Sequence, residues 1–107
     1  MMFKGVTFMM EIVISDGALK WFKNGMGLTK GDQLRFYARI YGSSPVQKGY
    51  TLGFDKEKSI NSVASTERDG ILFFVEENDL WYFNGHDLHV DYHEKEDDLE
   101  FKYVKKS

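Results

Sequence analysis

The stretch Leu34–Phe54, LRFYARIYGSSPVQKGYTLGF, leaves this chain little freedom in how it can fold. Two runs, Leu34–Tyr41 and Val46–Phe54, flank a Gly-Ser-Ser-Pro turn, and both are rich in aromatic and branched residues. Successive side chains of a strand point to opposite faces, so the alternation predicts a β-hairpin with one buried and one wet face. Leu34, Phe36, Ala38 and Ile40 fall on one face, and Arg35, Tyr37, Arg39 and Tyr41 on the other. On the return strand Tyr50, Leu52 and Phe54 fall together, opposite Gly49, Thr51 and Gly53. Glycine weakens a strand interior, so Gly49 and Gly53 predict a bulge or something packed close against the backbone.

The flanking segments supply the partners such a hairpin needs. Glu11–Ile14 reads as a short apolar strand. Ser15 is a helix N-cap, Asp16 suits the positive end of the helix dipole, and Ala18, Leu19 and Phe22 form one apolar face. Asn24-Gly25 ends that helix. Val63–Thr66 predicts a short strand, and Arg68-Asp69-Gly70 a turn into ILFFV, which has no polar face and is expected to be buried on both sides. Local rules leave Glu76–Tyr92 open. Asn84-Gly85 between apolar runs is a strong hairpin signal, yet Glu76-Glu77-Asn78-Asp79 ahead of Leu80 and Phe83 is also a helix start. Leu88–Tyr92 alternates as a strand, Glu94–Asp98 is a charged turn, and Leu99, Phe101 and Tyr103 mark a last strand. The fold class is therefore α+β and mainly β: antiparallel or mixed strands in a small sandwich with two short helices. Residues 1–9 read as an N-terminal extension and 10–107 as a single domain.

At 107 residues there is one core to build, and nine Phe, six Tyr and two Trp supply it, with Trp21 and Trp81 both expected inside. Fourteen basic against seventeen acidic residues leave a net charge of −3, which argues against nucleic acid as a partner. With no cysteine, disulfides, thiol redox chemistry and cysteine-held metal are excluded. MMFKGVTFMM is neither a signal peptide by pattern nor long enough to span a bilayer, so no membrane partner is expected and the cytoplasm is the expected compartment.

The order of motifs resembles the HesB-like family, the A-type iron–sulfur cluster carriers. EIVISDGALKWF, LRFYARIYGSS, GYTLGFD, DGILFFVEENDLWYFNGHDLHVDY and LEFKY carry the resemblance, which spans residues 10–104. It implies a HesB-like fold and a helix at Glu77–Phe83. It also implies a former cluster-ligand position at Ser43, between Gly42 and Ser44, where the family has cysteine. The family's Cys-Gly-Cys tail is absent as well, the chain ending Val104-Lys105-Lys106-Ser107. A serine hydroxyl is a hard, weak donor where cluster iron wants soft thiolate, so no iron–sulfur cluster, and no other cofactor, is expected. The resemblance thus implies a non-enzymatic accessory or regulator of iron–sulfur biosynthesis, partnered by proteins of that assembly machinery, as a monomer or a dimer.

Two alternatives stand beside it. His89, Asp91 and His93 alternate on one strand face, and two imidazoles with a carboxylate suit a mononuclear metal such as iron. Alternatively, the former cluster pocket that the resemblance implies between the Ser43 turn and the Gly49–Gly53 strand takes a small ligand or a protein. Arg35, Arg39 and Lys48 form either a solvated sheet face or an anion-attracting patch. Ser43 and Ser44 lack a G-x-S-x-G elbow or an adjacent base, so no catalytic residue is assigned.

Overall fold

The computed structural model describes residues 10–105, and the expected extension 1–9 lies outside them. Among the described residues seven strands form two mixed sheets. One has the order β3-β2-β5-β4, built from β2 (Gln33–Ser43), β3 (Lys48–Lys56), β4 (Ser62–Arg68) and β5 (Ile71–Glu76). The other has the order β1-β6-β7, built from β1 (Ile12–Ile14), β6 (His86–His93) and β7 (Asp98–Lys105). β1 runs parallel to β6, and β2 parallel to β5; the other pairings are antiparallel. The small α+β sandwich read from the alternation is the fold observed.

Helix α1 (Asp16–Gly25) forms where its caps dictate. The Ser15 hydroxyl oxygen accepts the Ala18 N–H at 3.1 Å, and the Met26 N–H closes the last turn on the Phe22 carbonyl at 3.2 Å. Its buried face is Ala18, Leu19 and Phe22. The Ser15 N–H donates to the Val90 carbonyl at 3.0 Å, which fixes the helix entry to β6. Arg68 reaches from β4 to the Ile14 carbonyl and to Asp16, tying the edge of one sheet to the edge of the other.

Aromatic rings fill the space between the sheets. Phe22 lies 5.2 Å from Phe73, 5.5 Å from Phe54 and 6.3 Å from Phe36, ring centre to ring centre. Phe101 of β7 meets Phe36 and Phe54 from across the sandwich at 6.3 and 5.9 Å, mostly edge to face, the arrangement ring quadrupoles favour. In β5, Phe73 and Val75 face this core and Phe74, pointing the other way, is equally buried, as the absence of a polar face in ILFFV predicts. The Asp69-Gly70 turn joins β4 to β5 with both residues at positive φ, 51° and 78°, the geometry a tight twisted hairpin needs.

Two local readings change, and the helix expected at Glu77–Phe83 is found. Gly42 and Ser43 are not turn residues but the end of β2; the turn is Ser44–Gln47, closed by the Ser44 N–H on the Gln47 carbonyl at 3.0 Å. Glu77–Phe83 is a 3-10 helix, and Asn84-Gly85, at φ 48° and 79°, ends it and swings the chain into β6 rather than joining two strands. Trp81, expected in the core, is 49% exposed, because it sits on that 3-10 helix against the part of the hairpin that outruns the core.

That overrun sets the shape of the molecule. β2 pairs with β5 only from Gln33 to Phe36, and beyond Phe36 its sheet pairing is with β3 alone. Asp79 of the 3-10 helix takes over where β5 stops. Its carboxylate accepts the Ala38 N–H at 3.3 Å and both Nη2 and Nε of Arg35, at 2.7 and 3.2 Å. Arg35 Nη1 also donates to Glu57 at 2.7 Å. The Asp79 carboxylate, and Glu57 after it, hold the Arg35 guanidinium still more firmly protonated than usual against the opposing pull of desolvation.

Two stability outcomes follow from these contacts. Phe22→Ala empties the ring position against which Phe36, Phe54 and Phe73 pack and is expected to cost about 3–5 kcal/mol in urea unfolding. Asp79→Ala leaves Arg35 half-buried without its main counter-charge and is expected to cost about 2 kcal/mol. It should also speed hydrogen exchange at the Ala38 amide, a change a merely surface substitution would not produce.

Candidate functional site

The β2–β3 arm beyond Phe36 is built by its own register. Ile40 pairs with Tyr50 and Ser43 with Lys48, so Tyr41 and Gly42 together stand opposite Gly49 in a β-bulge. Tyr41 and Gly42 have φ of 88° and 84°, and Gly49 88°. A bulky residue in the left-handed region is rare and persists only where its surroundings impose it. Here the neighbour is fixed as well: a Cβ on Gly42 would stand 2.6 Å from Thr51 Cγ2. The glycines of the return strand thus have the two uses their positions predict. Gly49 serves the bulge, and at Gly53 a Cβ would lie 2.4 Å from Arg39 Cδ and 2.8 Å from Tyr37 Cζ. Tyr37 and Arg39 therefore lie over Gly53 and cover that end of the strand.

At the far end the inner face of the arm has no sheet in front of it. Ile40 of that face is 68% exposed, and Tyr50, its partner across the pair, rests edge-on against Trp81 at 5.0 Å; Tyr41, next in the chain at the bulge, is 84% exposed. Gln47 Nε2 donates to the Trp81 carbonyl at 3.3 Å, holding the turn beside the 3-10 helix. Ile40, Tyr41, Tyr50 and Trp81 therefore make an apolar, aromatic-rich end, with Arg39 and Lys48 exposed on the same arm. Of the basic trio read from the sequence, Arg35 is committed to Asp79 and Glu57; no carboxylate among the described residues comes within 4.0 Å of Arg39 or Lys48. The exposed aromatic cluster was missed in the sequence because alternation assigns Ile40 to the buried face without saying where the opposing sheet ends.

The other sequence candidates fall elsewhere. Ser43 is an exposed strand residue paired with Lys48, and Ser44 accepts the Gln47 N–H at 3.2 Å as a turn former. His89, Asp91 and His93 share a face of β6, but their neighbours draw them apart. Asp91 lies 3.4 Å from Lys102 and His93 lies 3.5 Å from Glu96. The Tyr92 N–H, then Ser15 and Lys102, hold the Asp91 carboxyl below its usual range. Among the described residues no three His, Cys, Asp or Glu side chains group so as to hold a metal ion, which corrects the reading of a mononuclear metal protein. No helix among those residues is long and apolar enough to cross a membrane.

No profile of a known protein family matches the chain. A Bacillus subtilis protein named pyruvate dehydrogenase inhibitor is 47% identical over 94 residues, covering 88% of this chain and 99% of that protein. An uncharacterized protein of Staphylococcus saprophyticus is 33% identical over 95 residues, covering 86% and 97% of the two chains. One from Staphylococcus aureus is 28% identical over 95 residues. This overturns the HesB-like assignment, and with it the iron–sulfur biosynthetic role, the expected assembly-machinery partners and the meaning given to Ser43. The order of strand and turn motifs that carried the resemblance follows from how such a sandwich is wound, and winding does not specify chemistry. With nearly the whole of both sequences aligned at that identity, the chain belongs to the family of the Bacillus subtilis pyruvate dehydrogenase inhibitor.

Proposed function

We propose that this protein is a regulator without catalytic chemistry of its own, which binds a pyruvate dehydrogenase and lowers its activity. The observation that carries this reading is the 47% identity that runs over 99% of the relative bearing the inhibitor name. The structure supports it in kind. An inhibitor of this sort needs a stable scaffold and a surface suited to another protein. The end of the arm and the adjoining 3-10 helix offer Tyr, Trp and Arg side chains together, the residues that most often carry binding energy between proteins.

The purified protein, titrated into the pyruvate dehydrogenase complex of the same cell, is expected to reduce pyruvate-dependent NADH formation in a saturable way. Size-exclusion chromatography should show the two migrating together. An unchanged rate at large molar excess, with no co-migration, would sink the proposal.

A further inference from the structure

The charge of this chain is unevenly placed. Leu34–Phe54 holds three basic residues and no acidic one in a molecule whose net charge is −3. Arg35 is neutralised by Asp79 and Glu57, so the positive charge left on the arm belongs to Arg39 and Lys48, beside Ile40 and Tyr41 at 68% and 84% exposure. Other exposed apolar side chains, such as Ile60 and Val104, lie off the arm, on the β3–β4 connection and on β7. Single exposed apolar residues are ordinary; a group on a projecting, positively charged arm is not.

The shape is also set in advance. Consecutive positive φ at Tyr41 and Gly42, with Thr51 closing the space at Gly42, presents Tyr41 from a fixed bulge rather than a loose loop. A surface that is already ordered loses little conformational freedom on binding.

Building on the inhibitor reading, we propose that the end of the β2–β3 arm is the surface that docks on the inhibited enzyme. Ile40 and Tyr41 enter an apolar recess there, and carboxylates on its rim face Arg39 and Lys48. The excess of unpaired positive charge on an otherwise acidic protein sets the sign of the rim. Opposite signs across an interface speed encounter and suppress wrong orientations.

The test compares five proteins for binding to, and inhibition of, the pyruvate dehydrogenase complex of the same cell. They are the wild type, I40S/Y41A, R39E/K48E, G42A, and an I60S control, all checked for urea stability. I40S/Y41A is expected to weaken binding about tenfold or more and to relieve inhibition accordingly. R39E/K48E should slow association and flatten its dependence on salt, while I60S behaves as wild type. G42A keeps every contacting side chain of the tip and is expected to weaken binding through its shape alone. If wild type inhibits and I40S/Y41A inhibits equally well, the docking surface is wrong while the inhibitor reading stands. If R39E/K48E binds more tightly, the acidic rim is wrong. If I40S/Y41A turns a dimer into a monomer with inhibition intact, the arm covers a second copy of this chain and the proposal is overturned. A wild type that neither binds nor inhibits removes the inhibitor reading and the docking surface together.

Discussion

Asp79 is where the two halves of this structure are made to agree. β5 ends at Glu76, yet β2 continues, and a strand that loses its neighbour leaves N–H groups facing nothing. The Asp79 carboxylate, only 10% exposed, takes the Ala38 N–H and the Arg35 guanidinium together. A charge so placed is tolerable only because it is paired and hydrogen-bonded at once. Without it the outer part of the hairpin would be an isolated ribbon, and two-stranded ribbons are marginal in water.

Much of this architecture was legible in residue pattern. The Ser15 cap, the Phe22 face, the doubly buried ILFFV strand and the alternation of Leu99, Phe101 and Tyr103 all sit as local rules place them. They do so because each is decided by backbone geometry and by which face is apolar. What local rules left open was Glu76–Tyr92, where two equally good signals overlapped. Packing decided it: Tyr82 and Phe83 are fully buried, and a short tight helix puts both inside while aiming Asp79 at Arg35.

The site was far less legible, for two different reasons. Periodicity reports which side chains share a face, not whether anything covers that face, so Ile40 was placed indoors when the arm carries it past the core; Trp81 was placed there as a large aromatic ring, and the 3-10 helix leaves it 49% exposed. The likeness to cluster carriers failed differently. Motifs such as a capped helix, a Tyr-x-Leu-x-Phe strand and a buried strand after Asp-Gly describe how this kind of chain packs. None of them touches a substrate. The residues that would have carried that chemistry were the absent cysteines, and nothing about Ser43, exposed and paired with Lys48, replaces them.

The 3-10 helix is held at its other end as well. Tyr82 and Tyr103 share a hydroxyl hydrogen bond of 2.8 Å, and burial, then that bond, pushes the Tyr103 phenol above its ordinary range. One turn of chain is therefore riveted to the arm through Asp79 and to the opposite sheet through Tyr82. A load applied at the tip of the hairpin is not absorbed by bending at its root but passes straight into the body of the sandwich. The protein should engage whatever it meets as a stiff lever, gripping or letting go as one piece.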